Sequence, residues 1–224
     1  MKFDRPQAGK PHQLTIYQHV FPVASIRRFC GPAGTVQVRH GEKTFACPPN
    51  DRVFCARRSW NEGSEKGAFK GIEDKFQVVA SELLNGTLHA ITDDHKSTID
   101  TFFALWHTRV RAKSIKASDA KLEILGGNES YSDDQVELLE KNGYAAMRRD
   151  GSIAARNFVS IWISLQMGDI RRHLAAYPWR VVRSLEAEFI VPDHPSSVGI
   201  VPIAPRMYLT VGERDVYATA EDVE

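Results

Sequence analysis

The sequence predicts an α+β domain in which strands from both ends of the chain meet in one antiparallel sheet, with a central cluster of about four helices. Three observations predict it. Stretches rich in β-branched and aromatic residues, or alternating in polarity, lie before residue 50 and after residue 178. Between them, apolar residues recur at helical spacing. Strict strand–helix–strand alternation, the mark of a doubly wound parallel sheet, is absent.

Residues 1–12 hold two prolines, a glycine and several charges, and are expected to form a flexible arm. Residues 13–21 (QLTIYQHVF) have strand character. Pro22 suits a first helical turn and opens a short helical pattern over 23–29, which Gly31-Pro32 ends. Residues 35–40 (TVQVRH) and 43–47 alternate around Gly41-Glu42, which predicts a hairpin, and Pro48-Pro49 stops its second strand. From Ala68 the period changes. Phe69, Ile72, Phe76, Val79 and Leu83 share one helical face, closed by Asn85-Gly86. A second helix is expected to start near Ser97, with Asp100 completing a capping box. Its apolar face is Ile99, Phe102, Phe103, Trp106 and Val110.

Gly126-Gly127-Asn128 breaks the chain before a short helix over 132–141 whose acidic start suits the helix dipole. Asp150-Gly151 is a hairpin cue between two short strand-like pieces. Residues 154–176 predict a long helix with Phe158, Ile161, Trp162 and Leu165 inward. Strands are expected over 179–183, 187–191, 198–203 and 207–211. The expected organisation is therefore an arm (1–12), one α+β domain (13–217) and an acidic tail (218–224).

Composition narrows the function classes. Of the 224 residues 42% are hydrophobic and 25% charged, as in a soluble globular protein. No apolar run nears the roughly 20 residues that span a bilayer, so no membrane partner is expected. The opening MKFDRPQAGKPHQL has no hydrophobic core, which argues against a secretory signal. Three cysteines, Cys30, Cys47 and Cys55, form no C-x-x-C pair. Buried free thiols in a reducing, cytoplasmic compartment are expected rather than disulfides or a zinc site. The net charge of +1 hides a gradient. Residues 1–60 carry ten Lys/Arg against three Asp/Glu, and the rest carry 19 against 25. A basic quarter either attracts phosphate or neutralises acidic helices of the same chain.

Phosphate-cradling G-x-x-x-x-G-K-[ST], G-x-S-x-G and H-E-x-x-H motifs are absent. One set of polar residues could carry chemistry. His19, Glu73 and Asp193 are the candidate catalytic residues, since imidazole exchanges protons near neutrality and carboxylates can orient it or take the proton. Arg27, Arg28, Arg109 and Arg111 are the candidate phosphate clamp. Asp193 could instead bind a divalent metal, the one cofactor the set leaves room for; no dedicated metal site is expected. Arg148, Arg149 and Arg156 flank the Asp150-Gly151 turn and suggest a weaker nucleic-acid contact. Against each stands a bland reading: Glu73 a surface charge, Arg109 an interior salt-bridge partner, Asp193 a turn residue.

The segment QHVFPVASIRRF (18–29) resembles the opening His-His-x-x-Pro-x-x-x-Leu-x-x-Phe pattern of a bacterial and phage family, the domain of unknown function 4238. Three more stretches follow in that family's order: IEDKFQVVASEL (72–83), FFALWHTRV (102–110) and VPDHPSSVGIVPIAPRMYLTV (191–211). His19, Pro22, Phe29, Glu73, Arg109, Asp193 and Pro195 match. Gln18 stands for the first histidine, Val110-Arg111 for Thr-Pro, Pro192 for Ser and His194 for Asn. The resemblance implies a site map but no reaction. Two function classes follow. One is a nuclease- or nucleotide-hydrolase-like protein acting on phosphate esters or nucleic acid, in phage–host conflict. The other is a non-catalytic protein, such as a phage-encoded inhibitor or regulator, that binds a host protein.

Overall fold

Two long helices lie antiparallel at the centre of the computed structural model, which describes residues 5–121, 131–148, 150–193, 195, 199–212 and 216–218. They are α3 (Asp93–Ser114) and α5 (Ala155–Leu174). Lys96 near the start of α3 donates to the carbonyl of Leu174 at the end of α5. α2 (Lys70–Asn85) packs beside α3, and Phe76 stacks on Phe102 with centroids 3.6 Å apart. The expected faces are buried: Phe69, Phe76, Val79 and Leu83 on one helix, and Ile99, Phe102, Phe103, Trp106 and Val110 on the other. Gly86, left-handed at φ 70°, ends α2, where a side chain would be strained.

The remaining elements are short. β1 (Tyr17–His19) pairs antiparallel with β4 (Cys55–Arg57), just after a single 3₁₀ turn at Arg52–Phe54. α1 (Val23–Arg27) follows Pro22. β2 (Val36–His40) and β3 (Lys43–Cys47) form the expected hairpin, with Gly41 at φ 60° in its turn. β5 (Ala120–Lys121) pairs with β6 (Ser152–Ile153), and α4 (Asp133–Lys141) lies between them in sequence. β7 (Trp179–Ser184), β8 (Ile200–Ala204), β9 (Met207–Val211) and β10 (Val216–Ala218) form a four-stranded sheet in the order β10-β7-β9-β8. Its pairs are antiparallel except β10 with β7.

The α+β class holds, with five helices and several small sheets among the described residues. The single sheet joining both ends does not form. β8 is the edge that would have to accept an N-terminal strand, and it carries Pro202, which has no N–H to offer a ladder. The ends meet by packing instead. Phe21 lies 4.9 Å from Trp106 and Trp179 lies 5.9 Å from Phe103, so both ends cover the same helix. Arg28 Nε reaches the carbonyl of Ile203 on β8 at 2.8 Å.

Four other expectations are corrected. α3 starts at Asp93, where Thr92 and His95 form the capping box; Asp100 is buried and accepts from Trp179 Nε1 at 2.6 Å and Lys96 Nζ at 2.7 Å. Residues 187–191 form no strand. β9 already has β7 and β8 on its two edges, so the segment attaches through Phe189 N to the carbonyl of Pro205. The described part of the arm is tied to α4, through Gln7 N to Glu137 at 2.6 Å and His12 to Asp134 at 2.7 Å. Finally, α5 is rotated from the expected phase. Phe158, Ile161 and Leu165 are exposed and Trp162 half-buried, while Arg156, Asn157 and Ser160 turn inward. They do so because they have polar partners: Arg156 meets Glu140 at 2.8 Å, Asn157 meets Asn61 at 3.3 Å, and Ser160 Oγ accepts from Asn61 N at 2.9 Å. The expected break at 126–128 and most of the acidic tail lie outside the described residues.

Candidate functional site

Gln18 starts the site. It is buried on β1, and its amide clamps the chain opposite. Oε1 accepts from the N–H groups of Ser59 and Trp60 at 2.7 and 3.2 Å, and Nε2 donates to the carbonyl of Trp60 at 2.8 Å. This holds the fully buried Trp60, whose indole N–H donates to Glu65 Oε2 at 2.6 Å. Glu65 sits in a π-helical stretch, Ser64–Phe69, that runs directly into α2. Such a stretch widens the turn and is frequent where side chains must converge off the regular period.

Arg109 of α3 is the centre of the cluster, with 1% of its surface exposed. Nη1 donates to Glu73 and, at 3.2 Å, to the carbonyl of His19; Nη2 donates to Glu65 at 3.1 Å. Its guanidinium lies 5.2 Å from the centroid of Trp60 and 5.1 Å from that of Phe69, within cation–π range. Burial pushes the Glu73 carboxyl above its ordinary range, against the charge and hydrogen bond of Arg109. The His19 imidazole is half-buried. Burial and then the Arg109 charge hold its pKa below the usual value, and its buried Nε2 has no hydrogen-bond partner among the described residues. The site therefore contains an imidazole biased toward its neutral form and a carboxyl group biased toward protonation, with one guanidinium bonded to that carboxyl group and to the backbone carbonyl of His19.

Arg28 lies nearby rather than in the cluster. Nη1 donates to Gln77, one turn after Glu73, at 2.6 Å, Nη2 donates to Ser25 at 3.1 Å, and burial pushes its pKa down to about 10. Arg27 is exposed at the end of α1. Arg111 is exposed near the end of α3, 5.6 Å over the ring of Trp162. Asp193 is exposed in the connection between β7 and β8, and no described contact of Arg109, Glu73 or His19 reaches it. The structure thus brings His19, Glu73 and Arg109 together and leaves Asp193 outside their contacts.

The hairpin arginines are engaged within the fold. Arg148 pairs with Asp119, and Arg156 is buried against Glu140, which Arg58 also meets at 2.7 Å. Arg149 lies outside the described residues. Among the described residues, no three His, Cys, Asp or Glu side chains are grouped so as to hold a metal ion, and Cys30, Cys47 and Cys55 are free thiols. No described helix is long and apolar enough to cross a membrane.

Sequence reasoning missed Glu65, Trp60 and the clamping role of Gln18. Glu65 left little signal. It precedes Glu73 by eight residues, which on a regular helix is about 80° off the same face, and it lies in the π-helical stretch before Ala68. In comparisons with known proteins, no family model, curated protein or solved structure matches the chain.

Proposed function

We propose that this protein works by binding a partner and does not turn over a phosphate ester. One observation carries the reading: Arg109, Arg28, Arg148 and Arg156, four of the arginines expected to grip phosphate or nucleic acid, are engaged by acceptors inside the fold. At Arg109 and Arg156 a phosphate would have to displace a carboxylate from a buried guanidinium before binding it, at a cost of several kcal/mol. On this reading the residues shared with the domain of unknown function 4238 pattern are scaffold. Pro22 starts α1, while His19, Glu73 and Arg109 lock β1 to α2 and α3. The test is incubation of the protein, with and without Mg²⁺, with bis(p-nitrophenyl) phosphate, single-stranded DNA and RNA. We expect no turnover above buffer and no DNA retention at low salt. Hydrolysis that disappears in His19→Ala would overturn the reading.

A second reading rests on the unpartnered Nε2 of His19, in a cluster with Glu73. There, neutral His19 is the general base, Glu73 the general acid and Arg109 the group that positions them, in a hydrolase acting on phosphate esters or nucleic acid. It requires a bell-shaped pH–rate profile whose basic and acidic limbs are lost in Glu73→Gln and His19→Gln respectively.

A further inference from the structure

The N-terminal arm, over residues 5–13, lies along α4 and is held there by polar side chains. Gln7 N donates to Glu137 Oε1 at 2.6 Å, His12 Nε2 meets Asp134 Oδ1 at 2.7 Å, and the carbonyl of Gln13 accepts from Lys141 Nζ at 3.3 Å. Asp134, Glu137 and Lys141 are spaced at i, i+3 and i+7, so one face of α4 holds the arm. Beyond it the chain is anchored: Leu14 is buried, Thr15 N donates to Glu62 at 2.8 Å, and the carbonyl of Ile16 accepts from Arg58 N at 2.8 Å. The arm fits its seat poorly in two respects. Lys10 and Gln13 stand at φ 51° and 49°, the left-handed region that is unfavourable for a residue with a Cβ. Glu137 is 7% exposed, yet its Oε2 has no hydrogen-bond partner among the described residues, and neither has the buried Nε2 of Gln7. A buried carboxylate oxygen left unmet is costly, and the glutamine of the arm does not reach it.

We propose that the arm occupies the docking groove of another protein, and that a basic extended segment of that partner displaces it by setting an arginine or lysine against Glu137. The proposal rests on the binding reading above and names the class of partner. Charge complementarity selects the occupant. α4 carries Asp133, Asp134, Glu137 and Glu140 against Lys141, and the arm that fills the groove carries Arg5, Lys10 and His12 with no acidic residue. The arm has the advantage of its tether, which acts as an effective concentration on the order of millimolar. A rival must therefore bring a contact that the arm lacks. A cationic donor to Glu137 Oε2 is that contact, a charge-assisted hydrogen bond in a place shielded from water. The arm of a second copy brings the same Gln7 and leaves Oε2 unmet again. A nucleic acid is repelled by the carboxylates.

The experiment titrates the full chain into fluorescein-labelled peptides and reads anisotropy. One peptide copies residues 5–14 (RPQAGKPHQL), a second carries Gln7→Arg, and a third replaces Arg5, Lys10 and His12 of the copy by aspartate. We expect the Gln7→Arg peptide to bind at least about tenfold more tightly than the copy, and the acidic peptide not to bind. In the chain, His12→Asp sets two carboxylates together and loosens the arm, and should raise affinity for the Gln7→Arg peptide at least about tenfold. Glu137→Gln should remove the preference for arginine over glutamine in the peptide. In the wild-type chain, saturation with the Gln7→Arg peptide should speed amide hydrogen exchange over residues 5–13, read by mass spectrometry. Equal affinity for the Gln7→Arg and acidic peptides, or unchanged exchange over residues 5–13 at saturation, would refute the proposal. So would dimerisation of the wild-type chain that Glu137→Gln abolishes, because it assigns the groove to a second copy. His19-dependent hydrolysis would instead remove the binding reading itself, so the two failures are distinguishable.

Discussion

Replacing Arg109 by methionine tests whether the central cluster is a scaffold. The substitution keeps a long apolar stem and removes a cation that is 1% exposed. Three acceptors lose their donor: Glu73, Glu65 and the carbonyl of His19. Breaking a buried ion pair from one side costs about 3–5 kcal/mol. The Glu73 and Glu65 side chains keep 21% and 16% exposure, so water recovers part of their solvation and the low end, about 3 kcal/mol, applies. At about 2–4 °C per kcal/mol for a chain of this size, the melting temperature should fall by roughly 6–12 °C. A second variant fixes the interpretation. Glu65→Gln, Glu73→Gln and Arg109→Met together leave no uncompensated charge, and the triple variant should recover at least half of the loss. Thermal unfolding followed by circular dichroism measures both. A melting temperature within about 2 °C of wild type for Arg109→Met would refute the scaffold argument, as would a triple variant less stable than the single one.

Three more perturbations follow from the structure. Asp100→Ala orphans the buried indole N–H of Trp179 and unpairs Lys96, and should cost about 2–4 kcal/mol in urea unfolding; a cost near 1 kcal/mol would restore the capping role that the sequence suggested. At Gly63 a Cβ would sit 2.7 Å from the Cα of Gly143, a backbone atom that cannot rotate away. Gly63→Ala should therefore lose about 1–3 kcal/mol by overpacking, and an unchanged urea midpoint would show the two backbones to be farther apart. His19 and His107 are both held below the ordinary histidine value by burial, helped by Arg109 and Arg111 respectively. The native state then binds fewer protons than the unfolded chain between those depressed values and about 6.5, so stability is full above about pH 6.5 and falls as pH drops through that window. Glu73, raised by burial, contributes in the opposite sense at lower pH. Melting temperatures should fall from neutrality downward, and less steeply in His19→Gln; a flat profile above pH 5.5 would contradict this.

The parts of the fold that were legible in the sequence are those in which one physical signal acts alone. On α2 and α3 every inward position but the central arginine and a few small polar residues is apolar, so period and phase could both be read from the residues. Glu73 and Arg109 were singled out as ionisable groups on those helices, with a surface charge as the bland reading of Glu73, and they do meet, because α2 and α3 pack side by side. The readings that failed involve backbone partners or polar burial, which leave little trace in hydropathy. β1 owes its position to β4, three residues long and following a 3₁₀ turn, and to the Gln18 amide that bonds to the backbone two residues beyond β4. Glu65 reaches Arg109 from a π-helical stretch, whose period is not the one used to look for it.

α5 is the most instructive of these failures. Hydrophobic periodicity fixes the phase of a helix only if its buried side is apolar, and Arg156, Asn157 and Ser160 break that condition because Glu140 and Asn61 await them. Hydrogen bonds and an ion pair set the rotation together with buried Val159, Ile163 and Met167; the opposite rotation would expose those three side chains, each worth about 1.5–3 kcal/mol, and take Arg156 away from buried Glu140. The exposure of Phe158, Ile161 and Leu165 is thus the counterpart of a mixed apolar and polar seam on the other side of the same helix. That gives the seam a testable consequence: Glu140→Ala removes the carboxylate that Arg156 and Arg58 both meet and should cost about 3–5 kcal/mol in urea unfolding, whereas a loss under about 1 kcal/mol would show that the apolar side chains alone set the rotation.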